Sequence, residues 1–273
     1  MRIPKIGGRT SVAATSRPLF LEQLGEALPG VRGVLEELQS HLLGQLADVV
    51  GLYVYGSLAL GDFDPEESDL DLLAALSREV GDTHLCALRR LHSQFVRAHP
   101  DWDERVEVAC VSLVGLRTFK SQPSTVAIVS PGEPPHLKQV GREWLIDYHL
   151  VREHGITLHG PPPETLFDDI STEEFQNAIR DHLQSWREPL PPRPTIRSLR
   201  YAVLTMCRGL YALRHGKHSS KRQAGLWAQR AFPECAHLIE RMLAARNTDA
   251  ATEADRRETA HFIEFALRTA SVT

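Results

Sequence analysis

Two short stretches decide the fold of this chain: residues 52–57, which read Leu-Tyr-Val-Tyr-Gly-Ser, and residues 69–73, which read Asp-Leu-Asp-Leu-Leu. The aromatic and β-branched residues of the first stretch predict a buried β-strand. Gly56 is expected to end that strand, because glycine has the conformational freedom for a sharp turn beside a phosphate. Ser57 then offers a hydroxyl and a backbone amide to an anion.

The second stretch predicts a strand over residues 69–75 that carries two acids on one face. Residues two apart on a strand point to the same side, so Asp69 and Asp71 project together while Leu70 and Leu72 turn into the core. Two like charges this close favour a cation, and hard oxygen ligands suit Mg²⁺. The alternative is a solvated, inert acidic pair at the end of a hairpin, which the preceding Gly-Ser turn disfavours.

A third carboxylate is expected on a neighbouring strand over residues 105–111. Within that strongly β-branched run, Glu107 stands alone between Val106 and Val108 and lies on the face opposite to both. If the valines face the core, Glu107 faces the same cleft as the aspartates. There it would bind the metal or take a proton from an attacking hydroxyl. The alternative is an outward-facing glutamate on an edge strand.

These motifs, together with residues 203–208 and the basic residues Lys217 and Lys221, resemble the aminoglycoside 3″/9-adenylyltransferases, the streptomycin and spectinomycin resistance enzymes. The resemblance spans residues 35 to 265, and the order of several separate motifs makes it more specific than any one of them. It implies an α+β chain with an N-terminal nucleotidyltransferase domain, a mixed β-sheet flanked by helices, followed by an all-α helical bundle. It also implies that ATP and drug bind in the cleft between the two domains.

The resemblance further implies a role for each residue of the first domain that matches a motif. It places Ser57 and Ser68 at the nucleotide phosphates beside the Gly56 turn. It places Asp69 and Asp71 on Mg²⁺ and makes Glu107 the base that activates the drug hydroxyl.

Basic residues of the second half are implied to reach ATP. Arg208 and Lys221 match the family's cations in the helical domain, and Lys217 would share that work. A polyphosphate needs positive charge beyond the metal, which makes this reading physically coherent. The alternative is a helix-surface arginine and two solvated loop lysines.

The segment 186–197 departs from the family members that accept streptomycin, which carry acids there. It contains one acid and three arginines among four prolines. A basic, proline-stiffened segment disfavours a strongly cationic acceptor, so spectinomycin is favoured over streptomycin. Trp144 and Trp186 are candidates for a substrate wall, with packing in the core as the alternative.

Charge and cysteine usage exclude several other classes of function. The net charge of −4 gives no broad basic field, so a nucleic acid is a poor candidate partner. The four cysteines are widely separated, which predicts neither a zinc motif nor a disulfide framework and favours the cytoplasm. No stretch approaches the ~18 apolar residues of a membrane span, so no membrane association is expected. A monomer that binds a small-molecule substrate is predicted.

Proline-rich segments and changes of composition along the chain predict two domains, residues 1–160 and 161–273. The boundary is expected at a triproline, and residues 1–16 are expected to be loosely ordered. In the first, helices are expected within 19–50 and over 82–99 and 144–153, with a last strand over 156–160. Residues 122–138 are expected to form a loop over the cleft that contains one short strand, 125–129. In the second, helices are expected over 172–186, 196–215, 219–232, 235–245 and 251–270, and Ser171 or Thr172 caps the first.

The predicted reaction is in-line attack by an acceptor hydroxyl on the α-phosphorus of ATP, which releases pyrophosphate and leaves AMP on the acceptor. Two other classes stay open. One is a nucleotidyltransferase that modifies a non-antibiotic metabolite or a protein hydroxyl. The other is a nucleotide-binding regulator without turnover, which the presence of all three carboxylates disfavours.

Overall fold

The computed structural model describes residues 22, 24, 26, 28–246 and 249–272. The chain divides into two compact units, Met1–Asp169 and Ile170–Thr273. The boundary along the chain therefore lies between Asp169 and Ile170, whereas the sequence predicts it after residue 160. The two-domain assignment itself stays a prediction. The expected loose ordering of residues 1–16 lies outside the described residues.

The first unit is built on a mixed six-stranded sheet, as far as the described residues show. The strand order is β5-β4-β3-β2-β1-β6. Strands β2 and β3 are parallel, and the other neighbours are antiparallel. The strands are β1 (Val49–Val54), β2 (Leu70–Leu76), β3 (Val106–Ser112), β4 (Ser124–Ser130), β5 (Glu133–Val140) and β6 (Ile156–His159).

Helices cover both faces of this sheet. One face packs against α1 and α3, and the buried cluster includes Leu38, Phe95 and the inward side chains of β2 and β3. On the other face the rings of Phe119, Tyr148 and Phe167 meet edge to face, with centroids 5.0 and 5.8 Å apart. The helices of this unit are α1 (Pro29–Gln45), α2 (Gly56–Ala59), α3 (Asp82–Ala98), α4 (Leu113–Thr118) and α5 (Leu145–His154).

The predicted alternation of side chains in β2 and β3 is confirmed. Leu70, Leu72, Val106 and Val108 are all buried in one cluster between the sheet and α1 and α3. The acids between them therefore lie on the opposite face of the sheet, as a two-residue period requires.

One expectation for the first unit is wrong in part. The short strand predicted over 125–129 is confirmed as part of β4, but the rest of residues 122–138 is not a loop, because β4 and β5 pair there as an antiparallel hairpin. The Pro-rich composition of β5 is compatible with a strand because β5 lies at the sheet edge, where prolines are tolerated. His84 lies in α3, where it is buried and lies against Asp48.

The second unit is helical throughout its regular structure, as predicted. Ser171 caps α6 with the reciprocal pattern expected: the Glu174 amide donates to Ser171 Oγ at 3.2 Å, and the Ser171 amide donates to Glu174 Oε2 at 2.9 Å. The helices are α6 (Thr172–Gln184), α7 (Ile196–His215), α8 (Lys221–Ala231), α9 (Ala236–Ala244) and α10 (Glu253–Ala270). The predicted α+β fold class is confirmed. Within the described ranges, every helix is too short or too polar to cross a membrane.

Candidate active site

The three acids predicted from the sequence lie at one end of the sheet. Asp69 immediately precedes β2, and Asp71 is the second residue of that strand. Glu107 is the second residue of β3, and the parallel register places it directly opposite Asp71. All three residues are half-buried. Strand pairing alone therefore brings Asp71 and Glu107 together on one face.

We call the end of the sheet that carries Asp69, Asp71 and Glu107 the acidic edge. Gly56, just after β1, packs directly against it. Its φ of +66° lies in the left-handed region, and a Cβ at this position would overlap the carboxylate of Asp71. The preceding amide, from Tyr55, donates to the backbone oxygen of Asp71 at 3.0 Å. The sharp turn predicted at Gly56 is confirmed, and only glycine allows it to approach Asp71 so closely.

Two hydroxyl groups hold the carboxylate of Glu107. Tyr55 donates from its phenol to Oε1 at 2.8 Å, and Ser130 Oγ donates to Oε2 at 3.4 Å. Tyr55 is only 6% exposed. Sequence reasoning placed Tyr55 in a strand without a role at the site. It missed Ser130 altogether, because the end of β4 was assigned to a loop.

The environment of Glu107 raises the pKa of its carboxyl. Burial raises the pKa of this carboxyl, the hydrogen bonds from Tyr55 and Ser130 oppose that change, and the charge of Asp69 raises the pKa further. The net pKa lies above the ordinary value. The pKa of the Tyr55 phenol is also well above its usual range, because of burial and then of the nearby charges of Glu107 and Asp71. Tyr55 therefore remains a hydrogen-bond donor over the whole working range of pH.

The two serines implied to contact phosphates lie on either side of the connection between β1 and β2. Ser57 is half-buried in α2, and its backbone oxygen accepts from the amide of Asp62 at 3.0 Å. The hydroxyl of Ser68 accepts from the amide of Asp64 at 2.9 Å, so Ser68 closes the turn before β2. A hydroxyl that accepts one bond still has its proton to donate. The phosphate roles of both serines stay predictions.

The donor chemistry at this edge suits a magnesium ion that the substrate completes. Across residues 28–246, 249–272 and the three described before them, no three His, Cys, Asp or Glu side chains are arranged to hold a metal ion by themselves. Mg²⁺ typically takes only one or two carboxylates from a protein and fills its shell with water and substrate phosphates. Carboxylates from Asp69, Asp71 and Glu107 are hard oxygen ligands of the right kind. The assignment of these ligands stays a prediction.

The cations implied to reach ATP lie in the second unit. Arg208 is half-buried in the second half of α7, and Lys217 is exposed just after that helix. Lys221 begins α8, with its Nζ atom 5.3 Å from the ring centroid of Tyr201. The candidate wall residue Trp186 also contacts that ring, at 5.8 Å between centroids. In the first unit, Trp144 contacts Tyr148 at 5.9 Å. Their roles toward ligands stay predictions.

Comparison with known protein families divides the chain at similar positions. A family model described as "Nucleotidyltransferase domain" matches residues 31–134, which contain the three acids. A second, described as "Aminoglycoside adenylyltransferase, C-terminal domain", matches residues 165–270.

Curated relatives and a solved structure agree with these matches. An "Aminoglycoside (3'') (9) adenylyltransferase" from Escherichia coli is 32% identical over 252 residues, covering 88% of this chain and 90% of the relative. One from Shigella flexneri is 33% identical over 229 residues, covering 80% and 82%. The fold resembles the crystal structure of a spectinomycin adenyltransferase from Enterococcus faecialis, with a TM-score of 0.67 at 16% identity, covering 88% and 98%. The predicted resemblance is thus confirmed: the chain belongs to the aminoglycoside (3″)(9) adenylyltransferase family and is a nucleotidyltransferase.

Proposed function

We propose that this enzyme transfers AMP from ATP to a hydroxyl group of an aminocyclitol or aminoglycoside antibiotic, with Mg²⁺ as cofactor, and so gives resistance to that drug. The observation that carries the proposal is the register of β2 and β3, which sets Asp71 opposite Glu107 beside the Gly56 turn. The adenylyltransferase names of its curated relatives support the reaction type.

In the proposed reaction, Asp69 and Asp71 hold Mg²⁺, which would offset charge on the triphosphate. Glu107 accepts the proton of the acceptor hydroxyl. Its carboxylate is oriented by Tyr55 and Ser130, and its raised pKa makes it a stronger base than an ordinary glutamate. The attacking oxygen forms a bond to the α-phosphorus, and the bond to the pyrophosphate oxygen breaks in line with it.

Basic residues of the second unit supply the remaining positive charge in this proposal. Arg208 and Lys221 contact the triphosphate, with Lys217 in support, because four phosphate charges exceed what one divalent ion neutralises. Within the first unit, phosphate oxygens are bound by the hydroxyls of Ser57 and Ser68 and by the turn at Gly56.

The acceptor that we favour is spectinomycin. The segment between α6 and α7 contributes Arg187, Arg193 and Arg197 against a single acid, Glu188, which disfavours a strongly cationic drug such as streptomycin. One structural neighbour, of similar fold, is a spectinomycin adenyltransferase solved with ATP and spectinomycin. The predicted monomeric state, cytoplasmic location and lack of a nucleic-acid partner stay predictions.

Pyrophosphate release tests this proposal directly. The purified chain is incubated with ATP and Mg²⁺ and, in turn, with spectinomycin, streptomycin and several other aminocyclitols and aminoglycosides, and the products are identified by mass spectrometry. We expect acceptor-dependent release, fastest with spectinomycin, and a product heavier by one adenylyl group. Omitting Mg²⁺ should stop it.

Other outcomes distinguish the alternatives. Faster release with streptomycin would overturn the acceptor preference alone. ATP turnover without any modified drug, together with labelling of a protein or a metabolite by radioactive ATP, would favour the non-antibiotic nucleotidyltransferase. ATP binding without turnover under all conditions would favour a regulator and contradict the proposal.

A further inference from the structure

The turn just before β3, residues 102–105 (Trp-Asp-Glu-Arg), contacts the loops on both sides of the acidic edge. Arg105 donates from Nη2 to the backbone oxygen of Ser68 at 2.7 Å and to that of Pro65 at 2.9 Å, and from Nε to Ser68 again at 3.2 Å. The planar guanidinium presents several donors in a fixed fork, so one side chain can hold two carbonyls of the same turn.

Arg105 also holds the residue on the other side of Asp69. Its backbone oxygen accepts from the amide of Leu70 at 2.9 Å. Ser68 and Leu70 are the two chain neighbours of Asp69, so one residue fixes the backbone both before and after that aspartate. The guanidinium lies over the ring of Trp102, with Cζ 4.6 Å from the centroid, which limits the positions that it can adopt.

Glu104 makes the corresponding contact toward Glu107. Its carboxylate accepts from the backbone amide of Gly132, in the turn between β4 and β5. Gly132 lies two residues after Ser130, which donates to Glu107. Glu104 has a φ of +61°, and among the described residues it is the only non-glycine with a positive φ. Such a backbone is strained for a residue with a side chain and persists where the surrounding structure enforces it, often beside functional sites.

We propose that Glu104 and Arg105 are positioning residues for nucleotidyl transfer, and we call this pair the brace. Arg105 fixes the backbone that carries Asp69, and Glu104 fixes the hairpin turn that carries the Ser130 contact to Glu107. This inference rests on the proposed function. Neither residue is assigned contact with metal, nucleotide or acceptor: both act through the residues they hold.

Two variants test the role of Arg105, which we call the arginine arm of the brace, as Glu104 is its glutamate arm. Arg105→Met retains an unbranched apolar side chain beside Trp102 but donates no hydrogen bond. Arg105→Lys keeps the positive charge without the forked guanidinium. The matched control is Arg89→Met. Arg89, in α3, also donates twice to one carbonyl, at 3.0 and 3.2 Å. That carbonyl belongs to Pro135 in β5, away from the acidic edge.

The measurements are kcat, the acceptor KM and the Mg²⁺ concentration for half-maximal rate. Arg105→Met should raise the Mg²⁺ requirement about tenfold and lower kcat about 10- to 100-fold, because small displacements of positioned groups are costly in rate. The acceptor KM should stay within about twofold of the parent value, and Arg105→Lys should fall between. Arg89→Met should change each quantity less than about twofold. An unchanged Mg²⁺ requirement in Arg105→Met would overturn the arginine arm.

The glutamate arm is tested with Glu104→Gly, which removes the contact with Gly132 and also accepts the positive φ without cost. We expect its thermal unfolding temperature to equal or exceed that of the parent while kcat falls about fivefold. A purely structural role would instead lower stability and rate together. Glu104→Gln keeps a side-chain oxygen as acceptor and should retain more than about half of the rate. A parent rate in Glu104→Gly would overturn this arm.

Two readouts do not depend on turnover. Amide hydrogen exchange should accelerate about tenfold at Leu70 and Ser68 in Arg105→Met, but not in Arg89→Met. Electron paramagnetic resonance measures Mn²⁺ binding in the presence of a non-hydrolysable ATP analogue. This binding should weaken about tenfold in Arg105→Met but not in Arg89→Met. If the parent chain transfers AMP to no tested acceptor, the proposed function fails, whereas these two measurements still decide the brace. Unchanged exchange and unchanged Mn²⁺ binding would overturn it.

Discussion

The two ends of the central sheet differ in the partners that their acids contact. At the end where β2 and β3 begin, Glu107 accepts hydrogen bonds from the neutral hydroxyls of Tyr55 and Ser130. At the other end, Asp48 accepts from two basic side chains, Arg78 at 3.3 Å and His84 at 3.2 Å. Asp48 is buried and Glu107 is half-buried. In these contacts only Asp48 accepts hydrogen bonds from basic side chains.

The pKa shifts follow this difference. Burial raises the pKa of Asp48, but hydrogen bonds from Arg78 and His84 and then their charges outweigh burial, so its pKa lies below the ordinary value. Burial raises the pKa of Glu107 too, and there the neutral donors do not compensate. Arg78 and His84 therefore stabilise the charged form of Asp48 within the folded chain. The hydrogen bonds that Glu107 accepts from Tyr55 and Ser130 come from neutral groups, so they bring no positive charge to that carboxylate.

The largest effect is expected from Asp71→Asn, which removes one charge from the acidic edge and keeps its shape. Pyrophosphate release should fall at least about 10³-fold, because an amide is a poor ligand for Mg²⁺ and does not offset charge at the phosphorus. The unfolding temperature should stay equal or rise, since one of several like charges is removed. Steady-state release and thermal unfolding measure both. Release at the parent rate would show that Asp71 does not serve the metal.

Glu107→Gln is expected to lower kcat about 10²- to 10⁴-fold while ATP binding is retained, because the base is lost and the shape is kept. In the parent, the rate should fall as the pH falls through the pKa of Glu107, which lies above the ordinary 4.5. The residual rate of the variant should lack this acidic limb.

Although Glu107→Gln should lower the rate, it should not lower the free energy of unfolding. A raised pKa in the folded state means that stability is greatest below the unfolded pKa and is lost as the pH rises through the folded value. Glu107→Gln should therefore be at least as stable as the parent at pH 7 in urea unfolding. Loss of ATP binding in this variant would show instead that Glu107 is mainly a ligand.

Much of the acidic edge was predictable because its strands have strong local signals. The predicted strands 69–75 and 105–111 each lie one residue from the observed β2 and β3. The acids stand alone among apolar neighbours there, so alternation assigns their face. Their register was not predictable, since nothing local to Asp71 or Glu107 states which residue of β3 lies beside which residue of β2.

The contacts of Asp48 at the other end of the sheet were not predictable for the same physical reason. Asp48 and His84 are 36 residues apart and meet only through the packing of α3 beside the sheet. His84 also accepts from the amide of Gly81 at 3.2 Å through Nδ1, which leaves Nε2 to donate to Asp48. A lone histidine in an amphipathic helix carries no sequence signal of either bond. Ser130 escaped prediction because prolines and a glycine around it indicated a loop.

Asp48→Asn should leave a mismatched polar group beside Arg78 and His84. An amide can present its own N–H groups to Arg78 and His84, and it carries no charge for them. We expect a loss of about 1–3 kcal/mol in the free energy of unfolding at pH 7, with catalysis unchanged. Glu36→Gln is the control: Glu36 pairs with Arg32 at an exposed helical position, 3.1 Å apart, and should cost under about 0.5 kcal/mol.

The pH dependence of that loss has a definite sign. Because the folded-state pKa of Asp48 is depressed, its stabilisation is present above the unfolded pKa and disappears as the pH falls through the folded value, below 3.8. Urea unfolding of the parent and Asp48→Asn should therefore show a constant gap near neutral pH that closes in strong acid. A gap that widens in acid would contradict the assigned role of Arg78 and His84.

The smallest effect, and the finest test of the acidic edge, is expected from Tyr55→Phe. The phenol donates to Glu107 at 2.8 Å and lowers the pKa of that carboxyl, so its removal should raise the pKa further and move the acidic limb of the rate to higher pH. The rate at neutral pH should fall about tenfold or less, since the orientation of one carboxylate oxygen is lost. Ser130→Ala removes a longer bond, 3.4 Å, and should shift the limb in the same direction by less. A limb that moves to lower pH in Tyr55→Phe would mean that the neutral donors at this edge destabilise the charge of Glu107, and the contrast between the two ends of the sheet would then rest on Asp48 alone.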